Sequence, residues 1–166
     1  RPHRNLPGEP THRDPDPGMS RILRVAVLIS GSGSNLQALL DARSREGYAI
    51  VGVISNRPEA AGLARATAAG IPAVGVDHAA FPDRPAFEAG LDTALSQFAP
   101  DLIALAGFMR VLTADFVARH EGRLLNVHPS LLPAYRGLRT HARALAAGER
   151  ACLVEVVLLE QEQAER

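Results

Sequence analysis

Between Arg24 and Val127 the hydrophobic positions change period repeatedly, from short continuous runs to stripes spaced three and four residues apart. Val25 to Ile29 is an unbroken apolar run that ends in Ser30-Gly31-Ser32-Gly33, which predicts a strand buried on both faces followed by a tight turn. Leu36, Leu39 and Leu40 then share one face of a helix. Ile50 to Ile54 predicts a second strand, Glu59 to Ala69 an Ala-rich helix stopped at Gly70, and Ala73 to Val76 a short third strand. Phe87, Leu91, Leu95 and Phe98 form the stripe of the next helix, which must end before Pro100. Leu102 to Ala106 is a fourth strand, Thr113 caps a short helix, and Leu124 to Val127 is a fifth strand.

Strand and helix alternate, and the connections are too long for hairpins. That rhythm predicts an α/β fold: a Rossmann-like, open, mainly parallel sheet with helices on both faces. The pattern degrades at both ends. Residues 1–18 carry five of the twelve prolines and a single large aliphatic, Leu6, so a disordered N-terminal tail is expected there, with Met19 as the start of the ordered protein. Ala151 to Leu159 reads as a further strand, but the polar stub Glu160 to Arg166 has no visible partner, so the sheet is expected to be C-terminally incomplete.

Composition narrows the function classes. Eighteen basic residues, all arginine, balance eighteen acidic ones, which argues against nucleic acid as a partner. A single cysteine, Cys152, excludes an internal disulfide and a multi-cysteine metal site, and it suits a cytoplasmic protein. Cys152 lies in an apolar run, where a buried inert thiol is expected. No apolar run approaches the ~18 residues of a membrane helix, so no membrane partner is expected. His78 and His120 have no acidic or cysteine companion at ligand spacing, and no metal site is expected.

Three segments carry candidate chemistry. Gly31-Ser32-Gly33-Ser34-Asn35 joins the first strand to the first helix, where glycines allow close backbone approach and the helix N-terminus favours an anion. The spacing is neither a dinucleotide fingerprint nor a P-loop, so a monophosphate fits best; the alternative is a tight turn with Ser or Asn as the cap. Asn126 and His128 leave the fifth strand at the sheet edge where ligands bind open parallel sheets, and being two apart they share a face. One suits an oxyanion and the other a proton shuttle, whereas the alternative is a histidine capped by a backbone carbonyl. Gly107 to Leu112 offers an apolar wall with backbone donors and Arg110, which suits a planar anionic ligand; taken by itself it reads better as a loop filling the core.

The runs VAVLISGSGSNLQALLDA (25–42), SNRPEAAGLARATAAGIP (55–72), PDLIALAGFMRVL (100–112) and RLLNVHPSLLPAYRGLRTHARALAAGE (123–149) together resemble the phosphoribosylglycinamide formyltransferases, a branch of the folate-dependent formyltransferase family. The Asn-x-His-Pro-Ser-Leu-Leu-Pro run marks the wider family, and Gly-Ser-Gly-Ser-Asn narrows it. The resemblance implies transfer of a formyl group from 10-formyltetrahydrofolate to the amine of glycinamide ribonucleotide in purine (IMP) biosynthesis. It implies that Gly33, Ser34 and Asn35 hold the substrate phosphate, that Arg84, Met109, Arg110, Val111, Leu112 and Asn126 contact the folate, and that His128 and Asn126 are catalytic. It also reverses the preference for a core-filling loop at 107–112. The related deformylases carry an extra N-terminal domain that residues 1–18 cannot form.

The resemblance covers residues 22–149 and divides the chain into a tail (1–18), a formyltransferase N-terminal domain (19–149) and a divergent or truncated segment (150–166). Family members continue with His-Gly-x-Ser-Val-His and an Asp-Gly whose aspartate pairs with the catalytic histidine. Here no Asp, Gly or His follows Gly148, and the aspartate's role passes to no residue. The alternative function is therefore a catalytically impaired fragment that retains phosphate or nucleotide binding.

Overall fold

A computed structural model describes residues 21–44, 47–128 and 155–158. The expected tail at 1–18, Cys152 and the Pro129-Ser130 exit from the fifth strand lie outside the described residues. The chain forms β1 (Leu23–Ile29), α1 (Ser34–Ala42), β2 (Tyr48–Ser55), α2 (Ala61–Ala68), β3 (Ala73–Gly75), a 3-10 turn (His78–Ala80), α3 (Arg84–Phe98), β4 (Leu102–Leu105), α4 (Ala114–Arg119), β5 (Leu124–His128) and β6 (Glu155–Leu158). The sheet order is β3-β2-β1-β4-β5-β6. The first five strands are parallel, and β6 joins the edge antiparallel to β5.

The apolar run of β1 lies at the centre of this sheet and divides its side chains between two cores by simple alternation. Val25, Val27 and Ile29 face α1 and α2, packing with Leu36, Leu40 and Ala66. Ala26 and Leu28 face the opposite layer, where α3 supplies Phe87, Leu91, Leu95 and Phe98 and α4 supplies Phe116 and Val117. Helices therefore cover both faces, as the strand and helix rhythm required. Phe98 lies directly on Gly52 of β2, where an added Cβ would sit 2.4 Å from the ring.

Local signals set the helix boundaries. Thr113 accepts a hydrogen bond from Phe116 N at 3.2 Å and caps α4 as expected, and Asp83 accepts from Ala86 N at 2.8 Å to start α3. At the far end of α3, Arg24 donates to the carbonyls of Ala99 and Phe98 at 3.1 and 2.6 Å, satisfying terminal acceptors with a cation that also suits the helix dipole. The second helix begins at Ala61, two residues later than its composition suggested, because Arg57 to Ala60 form a turn closed by Ala60 N to Arg57 O.

The strand order reverses direction between β1 and β4. In an open parallel sheet that reversal opens a crevice at the C-terminal edge, because the connections on either side leave in opposite directions. Ser30 and Ala106 stand at this position.

Candidate functional site

The C-terminal edge of the sheet gathers the three segments that the sequence singled out. Residues 31–35 follow β1, residues 107–112 follow β4, and Asn126 and His128 close β5; these strands are consecutive neighbours in the sheet. With strands about 4.8 Å apart, their ends fall within a span of roughly 10 Å.

The first segment turns sharply at Gly33, which caps α1 with φ at 74°, in the left-handed region. No side chain caps this helix, so the expected alternative of a Ser or Asn cap is not what the structure shows. The reason is that the glycine conformation already aims the chain into the helix, which leaves Ser34 exposed and Asn35 half-buried at its first positions. First-turn N–H groups of an α-helix have no intrahelical acceptor, so this end presents donors and a positive dipole to an anion. Helix α2 fixes the loop from behind: Gly62 N donates to Gly31 O at 3.0 Å and Arg65 Nε donates to Ser32 O at 2.7 Å. The contact is so close that a Cβ on Gly33 would lie 2.7 Å from Gly62 Cα.

The second segment divides its side chains between core and surface. Leu112 is buried and Phe108 packs on the α3 core, as a core-filling loop would, but Met109 is 65% and Val111 56% exposed. Arg110 places its guanidinium 6.0 Å from the Phe87 ring centroid, a cation over an aromatic face. Arg84 is exposed in the first turn of α3, three residues before Phe87 and so on the same side of the helix. The first turn of α3 and the 109–112 loop therefore adjoin.

In the third segment Asn126 is half-buried and in register with Leu105 of β4 on one side and Val157 of β6 on the other. His128 ends β5 in register with Glu155 of β6.

Sequence reasoning missed several polar groups. Ser30, Asn56 and Glu88 are buried, and each bonds across the fold: Ser30 Oγ to Asn56 Oδ1 at 2.5 Å and Glu88 to Thr113. The only cue was position, a polar residue ending an apolar strand or interrupting a helix stripe. His120 also departs from expectation, since its Nε2 lies 2.6 Å from Asp92 Oδ1, a partner 28 residues away. This pair is at the opposite end of β4, and among the described residues no group of three or more His, Cys, Asp or Glu is placed to hold a metal ion. Among the same residues no helix is long and apolar enough to cross a membrane.

Comparison with known proteins agrees with this layout. Residues 23–163 match the family profile described as formyl transferase. The phosphoribosylglycinamide formyltransferase of Escherichia coli is 46% identical over 129 residues, covering 76% of this chain and 61% of the relative. The trifunctional purine biosynthetic protein adenosine-3 of Drosophila melanogaster is 53% identical over 140 residues, covering 81% of this chain and 10% of the relative. Among solved structures, the phosphoribosylglycinamide formyltransferase of Coxiella burnetii in complex with CHES superposes with a TM-score of 0.79 at 48% identity, covering 84% of this chain and 67% of that one. The Brucella melitensis phosphoribosylglycinamide formyltransferase gives 0.80 at 43% identity, covering 86% and 76%. The chain thus spans about three fifths of its E. coli relative and a tenth of the fly protein. With the profile match extending over most of its length and the fold shared with solved members, the chain belongs to the formyl transferase family.

Proposed function

We propose that this chain transfers the formyl group of 10-formyltetrahydrofolate to the amine of glycinamide ribonucleotide, a step of purine (IMP) biosynthesis. The observation that carries this reading is the convergence of an anion-binding helix start, an exposed apolar loop and an Asn-x-His strand end on one sheet edge, in neighbouring order β1-β4-β5. Gly33, Ser34 and Asn35 hold the phosphate at the α1 N-terminus. The 109–112 loop, with Met109 and Val111 exposed, takes the planar face of the folate, and Arg84 and Arg110 meet its anionic groups. The formyl-transfer unit is placed at 19–149, with 1–18 as a tail and 150–166 as a divergent segment that contributes β6.

The chemistry needs a site that tolerates transient charge. The amine lone pair attacks the formyl carbon, a carbon–nitrogen bond forms, and the carbonyl oxygen becomes an oxyanion. Asn126 donates a hydrogen bond to that oxygen and protonated His128 stabilises it. Collapse breaks the bond between the formyl carbon and the folate nitrogen, and the proton lost by the amine ends on that nitrogen. The balance closes without a covalent enzyme intermediate.

Steady-state formyl transfer by the full chain, beside His128→Ala and Asn126→Ala, tests the reading. Loss of about a hundredfold or more in kcat for His128→Ala is expected; equal rates in all three would sink it. A second reading, a nucleotide-binding unit without turnover, rests on the divergence of residues 150–166 from the pattern of the family. It predicts ribonucleotide binding with no product from any of the three proteins.

A further inference from the structure

The 109–112 loop holds two apolar side chains in solvent while the residues that anchor its ends are buried. Exposing apolar surface costs about 25 cal/mol per Å², so an unconstrained loop would turn such groups inward. Two buried side chains oppose this. Ser30 is 4% exposed, and its Oγ accepts the Met109 N–H at 2.8 Å. The Ser30 hydroxyl proton is committed to Asn56 Oδ1, so its lone pair faces Met109. At the other end Glu88, 1% exposed, accepts from Thr113 N at 2.7 Å through Oε1 and from Thr113 Oγ1 at 2.5 Å through Oε2. Ser30 directly follows β1 and Glu88 lies in α3, so the loop is tied to the end of the central strand on one side and to a covering helix on the other.

We propose that Ser30 and Glu88 are positioning residues for the planar cosubstrate: by clamping Met109 and Thr113 they hold the intervening backbone and the Met109 and Val111 side chains as a preformed wall for the folate ring. This rests on the assignment of the loop as the folate site. Preforming the wall reduces the ordering that binding would otherwise require, so the clamp acts on cosubstrate affinity rather than on the phosphate end of the site. Neither residue takes part in the bond changes.

The test uses the full chain, with tetrahydrofolate and glycinamide ribonucleotide as probes and amide hydrogen exchange as a readout independent of ligand. Ser30→Ala is expected to speed exchange at the Met109 amide at least tenfold and to weaken tetrahydrofolate binding about tenfold, with ribonucleotide affinity within twofold. Ser30→Thr, which keeps the hydroxyl, is expected to restore both. Glu88→Gln keeps one acceptor and avoids a cavity; it is expected to speed exchange at Thr113 and weaken tetrahydrofolate alone. Faster exchange at Met109 with unchanged tetrahydrofolate affinity overturns the proposal, as does parallel loss of both ligands. A wild-type chain that protects the Met109 amide yet binds no tetrahydrofolate overturns the folate assignment, a different failure from either of these.

Discussion

Replacing Gly33 with alanine combines two costs that other glycines in this chain separate. At φ 74° a Cβ approaches the following carbonyl, a strain of about 1–2 kcal/mol. The new methyl would also lie 2.7 Å from Gly62 Cα and 3.3 Å from Arg65 Cδ. The first of these neighbours is backbone and cannot swing aside, so α1 must shift from α2, an overpacking cost of about 1–3 kcal/mol. Gly70→Ala isolates the strain, because φ there is 73° and nothing lies within 4 Å of the added atom. Gly31→Ala carries neither cost, since it has open space and no positive φ. Thermal unfolding should therefore rank the proteins Gly31→Ala near wild type, Gly70→Ala lower by about 1–2 kcal/mol, and Gly33→Ala lower by about 2–5 kcal/mol. At about 4 °C per kcal/mol, the last is a fall of about 8–20 °C in Tm. Titration with glycinamide ribonucleotide adds the functional half: Gly33→Ala should lose at least about tenfold in affinity as the helix start tilts, whereas Gly70→Ala should bind as wild type. A Gly33→Ala protein that melts with Gly31→Ala, or binds ribonucleotide as well as Gly70→Ala, would refute this account of the turn.

Gly52→Ala should cost about 1–3 kcal/mol by chemical denaturation, because its Cβ would meet the Phe98 ring at 2.4 Å and the ring must leave β2; an unchanged midpoint would show that Phe98 does not pack there. Removing Glu88 entirely with Glu88→Ala should cost about 1–3 kcal/mol, through the unpaired Thr113 N–H and the emptied volume, and a melting temperature equal to wild type would contradict its anchoring role.

The elements of this fold were legible because its central strands are buried on both faces and its helices on one. Val25–Ile29 and Leu102–Leu105 read as continuous apolar runs, and Phe87, Leu91, Leu95 and Phe98 as a stripe, so period alone separated them. The direction of β6 was not legible, since an apolar run such as Val156-Val157-Leu158 pairs either way until its neighbour is known. The loops of the candidate site were visible as glycine and polar residues at strand ends, where an open parallel sheet binds ligands. Their supports were not. Ser30 meets Met109 across 79 residues and Glu88 meets Thr113 across 25, and neither separation leaves a periodic trace. The form of the first turn was not legible for a related reason: Ser and Asn are good caps by type, but a left-handed glycine pressed against Gly62 decides the turn by space.

The most direct measurement follows the formyl carbon itself. The full chain is incubated with glycinamide ribonucleotide and 10-formyltetrahydrofolate labelled with carbon-13 at the formyl group, and the label is traced by NMR. The proposed function predicts that the label appears in the formylated ribonucleotide amide, at a rate proportional to protein and lost in His128→Ala. Label that stays on the folate, or leaves as free formate, would contradict the assignment of this sheet edge as a formyl-transfer site.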